Sequence, residues 1–461
     1  MSNKLIQELR TILGSDNVLY EDADLVSYSF DATPDMPAQK PDVIVTPEST
    51  AHVVEIVKLA DKYNTPIYPR GSGTNLSGGT IPIKKGIVML MVKMNKIIEI
   101  DAENLTATVE PGVIIQELND AVQGFGLIYP PDPGTVKTAT MGGSVSENSG
   151  GLRGLKYGVT KNYVMGLEVV MANGDVVTFG GKTVKNVTAY DFVKLFTGAE
   201  GTLGIVTKII AKLIPAPEAR KSMLGAFPTI QDAGNAVSSI IAGKVIPATL
   251  EILDNTTIKV VENYAHVGLP LDAEAVLLIE VDGLPEVVAK EAEIVAQVVK
   301  ANNGTLKLAA TDDERENLWA ARRAALPALA QVSPTTVLED ATVPRSKITE
   351  MLMELQRIAK KYDLHIGTFG HAGDGNLHPT ILTDERNKEE MERVHKAVDE
   401  IFEAALKLGG TLTGEHGIGM AKMRYLEWEI GKEGLEVMRK VKEALDPKYL
   451  LNPGKMVQRS E

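Results

Sequence analysis

Glycine constrains this chain more than any other residue, because it is concentrated in three clusters interleaved with hydroxyl side chains between Arg70 and Val206. The first, Arg70-Gly71-Ser72-Gly73-Thr74-Asn75-Leu76-Ser77-Gly78-Gly79, follows the short apolar run Pro66-Ile67-Tyr68. Glycine permits positive φ and close approach of backbone to a ligand, so successive N–H groups can converge on phosphate oxygens, helped by the hydroxyls of Ser72, Thr74 and Ser77. The stretch reads as a pyrophosphate cradle. It matches neither common nucleotide motif: a P-loop ends in Gly-Lys-Ser/Thr, and the dinucleotide fingerprint needs a third glycine where Leu76 stands and a helix directly after. The second cluster runs from Pro130-Pro131-Asp132-Pro133-Gly134 through Thr138-Ala-Thr-Met-Gly142-Gly143-Ser144 to Ser149-Gly150-Gly151. The third is Gly198-Ala-Glu200-Gly201-Thr202-Leu203-Gly204-Ile205-Val206. Any one of them could be a tight connection; three, all carrying hydroxyls, favour a surface for an anionic cofactor.

At 461 residues the chain exceeds what one hydrophobic core organises. Residues 40 to 215 read as strands alternating with helices. Ser49 to Asn64 starts with capping residues and sets Val53, Ile56, Val57 and Ala60 on one face, while Ile87–Val92, Thr106–Val109 and Leu167–Met171 are β-rich runs. Pro215 and Pro217 interrupt helix or central strand, which places a domain boundary there. Beyond it, Ala275–Val281 reads as a strand followed by a helix through Lys300, and Ser346–Tyr362 as another helix; the second unit is α+β. Met391, Val394, Val398, Ile401, Ala405 and Leu408 recur by threes and fours, giving one long amphipathic helix. The tail from Asp446 to Lys455 reads as extended and turn-rich. The expected division is residues 1–217, 218–420 and 421–461.

A net charge of -13 argues against nucleic acid or anionic lipid as partner. With no cysteine, the chain has no disulfide, no thiolate nucleophile and no cysteine-bound iron–sulfur cluster. No apolar run approaches the ~18 residues of a membrane span. The segment from Met1 to Glu8 reads as the start of an amphipathic helix, not a signal peptide, so the expected location is cytoplasmic.

Five of the seven histidines lie between His365 and His416. His371-Ala-Gly-Asp374-Gly-Asn376-Leu-His378 and Gly414-Glu415-His416-Gly417 place three of them in glycine-rich acidic turns. Imidazole and carboxylate together suit zinc, manganese or iron, and a site with an open position is catalytic. His371 and His378, seven apart across a turn, suit a loop that folds both rings to one point, and Glu415 would complete a three-ligand set. His365 and His395 read as structural. Trp319-Ala-Ala-Arg322-Arg323 offers an arginine whose fork suits a carboxylate.

The three glycine loops, with Asn452-Pro-Gly-Lys455, resemble the FAD-binding domain of the vanillyl-alcohol oxidase/p-cresol methylhydroxylase superfamily. From about residue 20 to Lys455 the chain is similar to its D-2-hydroxy-acid dehydrogenase branch, which includes glycolate oxidase catalytic subunits and D-lactate dehydrogenases. The resemblance implies an α+β fold: a two-part FAD-binding domain, a substrate or cap domain with an antiparallel sheet, and a C-terminal segment that returns to the FAD domain. It also implies that the loop from Arg70 to Gly78 grips the FAD pyrophosphate. Pro131, Asp132, the run from Thr138 to Gly151, Gly201 to Val206, and Asn452 would then line the rest of the flavin. The FAD is expected to be non-covalent, since the half up to Arg220 offers only His52. By the same resemblance His371, His378 and Glu415 bind a divalent metal, His416 is the base, and Arg322 binds the substrate carboxylate with Arg323 a solvated neighbour. Thr380 stands where D-2-hydroxyglutarate dehydrogenases carry asparagine, and with Pro379 and Leu382 this favours a small monocarboxylic acid, D-lactate or glycolate. Electrons would pass to an electron-transfer flavoprotein, an iron–sulfur subunit or a quinone, in a homodimer or a hetero-oligomer. The competing readings are a metal-independent flavin oxidase of an alcohol or sugar, and a flavin subunit active only within a complex.

Overall fold

Val43–Val45, Ile67–Arg70 and Ile87–Leu90 pair in parallel, Val43 and Ile67 both facing Ile87, as strands buried on both faces do when they read as continuous apolar runs. The crossover helix Thr50–Tyr63 supplies the reason for the parallel pairing. Ser49 caps it by accepting from His52 N, and Asn64, in the left-handed region, ends it. Its apolar stripe, Val53, Ile56, Val57 and Ala60, is buried in the core. The computed structural model describes residues 3–459. The N-terminal helix spans Asn3–Leu13, with Met1 and Ser2 outside the described residues.

Two compact units divide the chain. One holds Met1–Gly150, Val159–Ala216 and Glu415–Glu461; the other holds Gly151–Gly158 and Pro217–Gly414. Apart from Gly151–Gly158, the second unit runs from Pro217, beside the Pro215–Pro217 break, to Gly414. In the first unit a second sheet orders Ile97–Asp101, Thr106–Val109, Ile205–Lys212, Val164–Val170 and Val176–Gly180. It is antiparallel throughout, where the sequence suggested strands and helices alternating as far as residue 215. The short turns after Asp101 and Met171 decide this, because a parallel pair needs a crossover of a dozen or more residues.

The second unit is built on one antiparallel sheet. Its order is Thr305–Leu308, Ala219–Phe227, Ala275–Gly283, Thr249–Asp254, His365–His371, Asn376–Thr383 and Thr335–Leu338. Helices Pro285–Ala301, Ile348–Tyr362 and Lys388–Lys407 follow the expected periodicities. His371 and His378 were expected in a loop; they sit instead on two neighbouring strands of a hairpin, His371 ending one and His378 third in the next. All eight residues of Asn376–Thr383 are buried, Pro379 among them. Pro379 hides the strand from sequence reading, since proline removes a ladder donor; here its carbonyl accepts from Glu339 N. No helix among the described residues is long and apolar enough to cross a membrane.

Asp254 joins two elements of this sheet. Its Oδ1 caps the helix Asn255–Ala265 through Thr257 N at 2.8 Å, and its Oδ2 accepts from Thr368 N at 2.8 Å on the strand that carries His371. Burial pushes this carboxyl up to about 6, against the pull of those N–H groups. The folded-state value lies above the unfolded one, so the folded chain takes the proton first. The group's contribution to stability therefore grows as pH falls from above 6 to below 4, by on the order of 3 kcal/mol. Urea midpoints of wild type and Asp254→Asn across pH 4 to 7 should converge upward for wild type on acidification; parallel curves would refute the shift.

Candidate active site

Among the described residues, no hydrogen bond joins the backbone N–H groups of Gly71 to Ser77 to the rest of the protein. Unpaired donors in series are what a pyrophosphate needs. A segment at Asp31–Thr33 braces the loop: Asn75 Nδ2 donates to Asp31 Oδ2 at 2.7 Å, Thr80 N to the same oxygen, and Gly78 N to Thr33 Oγ1 at 2.7 Å. Arg70 is buried and committed to the chain itself, with Nη1 on the Phe30 carbonyl and the guanidinium over Tyr28. Gly73 has φ 73°, and a Cβ there would overlap the Arg70 fork. Arg70 therefore shapes the loop, and the N–H groups remain for a phosphate.

The second cluster is only partly turned outward. Pro131 is buried, Asp132 half-buried, and the exposed Thr138 spends its hydroxyl on the Thr135 carbonyl. Gly142 N donates to the Pro111 carbonyl and Gly143 N to Thr140 Oγ1, which starts the helix Met141–Glu147. Ser144 and Ser149 face each other, Oγ to Oγ 2.5 Å, and share Thr160 Oγ1. Their hydroxyls brace the loop rather than remain for a ligand. Gly150 lies against Glu415: an added Cβ would sit 2.6 Å from Oε2. Gly151 belongs to the second unit.

The third cluster is a hub. Glu200, buried with φ 50°, accepts from Ile418 N at 2.6 Å and Gly419 N at 2.8 Å. Asn452 Nδ2 donates to the carbonyls of Gly79 at 2.9 Å and Glu200 at 2.7 Å, and the Ser77 carbonyl accepts from Met420 N and Ala421 N. First loop, third loop, C-terminal Asn452 and the turn after His416 thus form one network. Gly419, at φ 49°, is required because a Cβ would overlap the Ser77 carbonyl oxygen. Ile205 is a core side chain and Val206 pairs with Val169 in the sheet, so both build the scaffold. Beside the hub, burial and then the charges of Glu200 and Asp31 push the Glu147 carboxyl well above the usual range. Ser77 Oγ, Glu147 Oε2 and Asn452 Oδ1 are buried without a hydrogen-bond partner among the described residues. Orphaned polar atoms around unpaired backbone donors fit a polar cofactor at these loops.

In the second unit the rings of His371 and His378 stand 5.2 Å apart and nearly perpendicular, each offering a ligand nitrogen within 4.8 Å of the other's. Asp340, fully buried, comes to 3.8 Å from His378 Nδ1, and its other oxygen accepts from Thr413 Oγ1 and Gly414 N. Glu251 bridges His371 Nδ1, at 2.8 Å, and Arg322 Nε, at 2.5 Å. Burial raises the Glu251 carboxyl, but the charges and hydrogen bonds of His371 and Arg322 outweigh it and hold the group below its ordinary value. An ionised carboxylate only accepts, so the His371 proton is assigned to Nδ1 and the ring's lone pair to Nε2, the atom a cation would bind. This donor set fits a divalent metal.

Arg322 stacks on the Phe369 ring at 4.8 Å and, among the described residues, hydrogen-bonds through Nε alone, while Arg323 is exposed beside Glu316. Trp319 Nε1 donates to the buried Glu280. Glu415 and His416 follow Gly414 directly in the chain, with Glu415 Oε1 3.8 Å from His416 Nε2. His52 is half-buried on its helix, its Nδ1 taking the Glu48 N–H. His365 and His395 are exposed.

Residues 216–456 match the model of the FAD linked oxidases, C-terminal domain, and residues 41–180 that of the FAD binding domain. The chain therefore belongs to the FAD-linked oxidases, and is an oxidoreductase that holds FAD. It is 53% identical over 451 residues to the glycolate oxidase subunit GlcD of Bacillus subtilis, covering 98% of this chain and 96% of that one. It is 37% identical to the D-lactate dehydrogenase of Archaeoglobus fulgidus over 439 residues, 94% of this chain and 96% of that one. The fold is that of p-cresol methylhydroxylase, solved with substrate bound: TM-score 0.80 at 21% identity, covering 99% and 97% of the two chains.

Sequence reading missed Glu251, Asp340 and Glu280, and missed Asp31 and Thr33 under the first loop. One signal was available: Glu251 interrupts the apolar run Leu250 to Leu253 in a strand that cannot expose it. Replacing Asn452 with alanine strands two buried carbonyls, each worth about 1–3 kcal/mol. Flavin affinity, read by titrating apoprotein with FAD, should fall at least ~10-fold; unchanged affinity would separate the hub from the cofactor.

Proposed function

We propose that the chain oxidises a small D-2-hydroxy acid, D-lactate or glycolate, to the 2-oxo acid. The observation that supports this reading is the buried carboxylate of Glu251, which hydrogen-bonds both His371, a neighbour of His378, and Arg322, as a cation site beside a carboxylate-binding arginine would require. Relatives named for glycolate and D-lactate support the choice of acid. When bound, FAD supplies a hydride acceptor and a divalent zinc, manganese or iron a Lewis acid that lowers the pKa of the substrate hydroxyl. FAD is held without a covalent bond by the loop from Gly71 to Ser77 and the Glu200–Asn452 hub. The metal would be held by His371, His378 and Glu415.

Arg322 has its terminal nitrogens left for the substrate carboxylate, which suits a bidentate contact. His416 accepts the hydroxyl proton on its imidazole as general base. As residue neighbour of a ligand, it meets the same substrate without a separate supporting element. The chain has no cysteine, so electrons leave to another carrier: an electron-transfer flavoprotein, an iron–sulfur subunit or a quinone. The word subunit in the name of the Bacillus subtilis relative supports a hetero-oligomer.

Flavin-loaded protein, mixed anaerobically with a panel of D- and L-2-hydroxy acids, should bleach with D-lactate or glycolate and not with L-lactate. Bound flavin that no 2-hydroxy acid reduces would refute the reading. His416→Gln should keep flavin and metal while slowing reduction by ~10²-fold or more, and His371→Ala or His378→Ala should lose metal.

A further inference from the structure

We propose that Glu251 is a positioning residue that ties the metal-ligand histidine to the substrate arginine, so that cation and 2-hydroxy acid bind cooperatively through one buried carboxylate. The proposal rests on the function proposed above and names how its two binding groups communicate. Glu251 has no solvent exposure and lies in the strand Thr249–Asp254, next to His365–His371. Each of its oxygens has one partner: Oε1 takes His371 Nδ1 and Oε2 takes Arg322 Nε. The first bond fixes the tautomer that puts the lone pair on His371 Nε2, the atom that would bind a metal. The second, with the guanidinium stacked on Phe369, fixes the plane of the Arg322 fork and directs its terminal nitrogens to a ligand.

A cation on Nε2 makes Nδ1–H a stronger donor and draws the Glu251 charge toward His371. Arg322 then keeps more of its positive charge for a carboxylate. By linkage the effect is reciprocal: an anion on Arg322 releases Glu251 charge to His371 and tightens the metal. Glu280 supplies the internal contrast. On the neighbouring strand, it accepts from Trp319 Nε1 at 3.1 Å and Ser222 Oγ at 2.6 Å. It thus anchors the same helix, Asp312–Leu329, one turn away and through a tryptophan and a serine instead of a histidine. Losing the Glu280 bond loosens the helix; losing Glu251 uncouples two binding groups.

The test uses flavin-loaded, metal-stripped protein and reads the Mn²⁺ dissociation constant by competition with a chelator, with flavin absorbance confirming the fold. Glu251→Gln, whose amide cannot accept from both donors, should weaken Mn²⁺ by ~10- to 100-fold and raise the KM for D-lactate more than it lowers kcat. Glu280→Gln should leave the Mn²⁺ constant unchanged. Arg322→Met frees the whole Glu251 charge for His371 and should tighten Mn²⁺ by ~5-fold or more, a readout that survives even if Glu251→Gln fails to fold. A wild type that binds no divalent metal overturns the site reading and this proposal together. A wild type that binds Mn²⁺ no more tightly than Glu251→Gln, or an Arg322→Met protein with wild-type affinity, overturns the proposal alone.

Discussion

A carboxylate without solvent exposure must be answered by cations or strong donors, because the bare charge would cost several kcal/mol to bury. Glu251 is answered by His371 from a neighbouring strand and Arg322 from the helix Asp312–Leu329, and those two answers organise the second unit. The helix is held to the sheet by Arg322 on Glu251 and Trp319 on Glu280, three residues apart on one buried face. The first histidine of the hairpin is thereby oriented by the protein itself. Preorganisation of this kind is what separates a ligand set from a group of nearby histidines.

The first unit solves a different problem, which is to keep glycine loops open while leaving their donors unpaired. Flexible backbone would collapse onto itself unless something outside the loop held it. Asp31 and Thr33 do so for the loop from Gly71 to Ser77, and Glu200 with Asn452 ties that loop to the turn that follows His416. The turn bearing the proposed base is thus bonded into the loops proposed to hold flavin.

Residues that act through spacing were legible in the sequence. The helix Thr50–Tyr63 follows from its caps and from Val53, Ile56, Val57 and Ala60, four of its five buried apolar positions. Arg322 and Arg323 separate by helical phase into a buried and an exposed partner, although resemblance, not phase, chose between them. What stayed hidden acts through tertiary pairing. Glu251, Asp340 and Asp31 carry no local pattern, since their partners lie far along the chain. Pro379 concealed a fully buried strand, because the proline rule assumes that every ladder donor is needed. The hydroxyls of Ser77, Ser144 and Ser149 look alike in sequence to those of Ser72 and Thr74, yet Ser77 is fully buried and Ser144 and Ser149 bond each other. Composition places hydroxyls near a cofactor; only packing says which of them face it.

The dependence of chemistry on a bound cation is the claim on which the rest of the functional reading stands. Flavin-loaded protein freed of divalent metal can be mixed anaerobically with D-lactate or glycolate while Zn²⁺ or Mn²⁺ is returned in sub-stoichiometric steps. The flavin should stay oxidised without metal and become reducible in proportion to the metal added, with the response complete at one ion per chain. Reduction at full rate in the metal-free protein would contradict it.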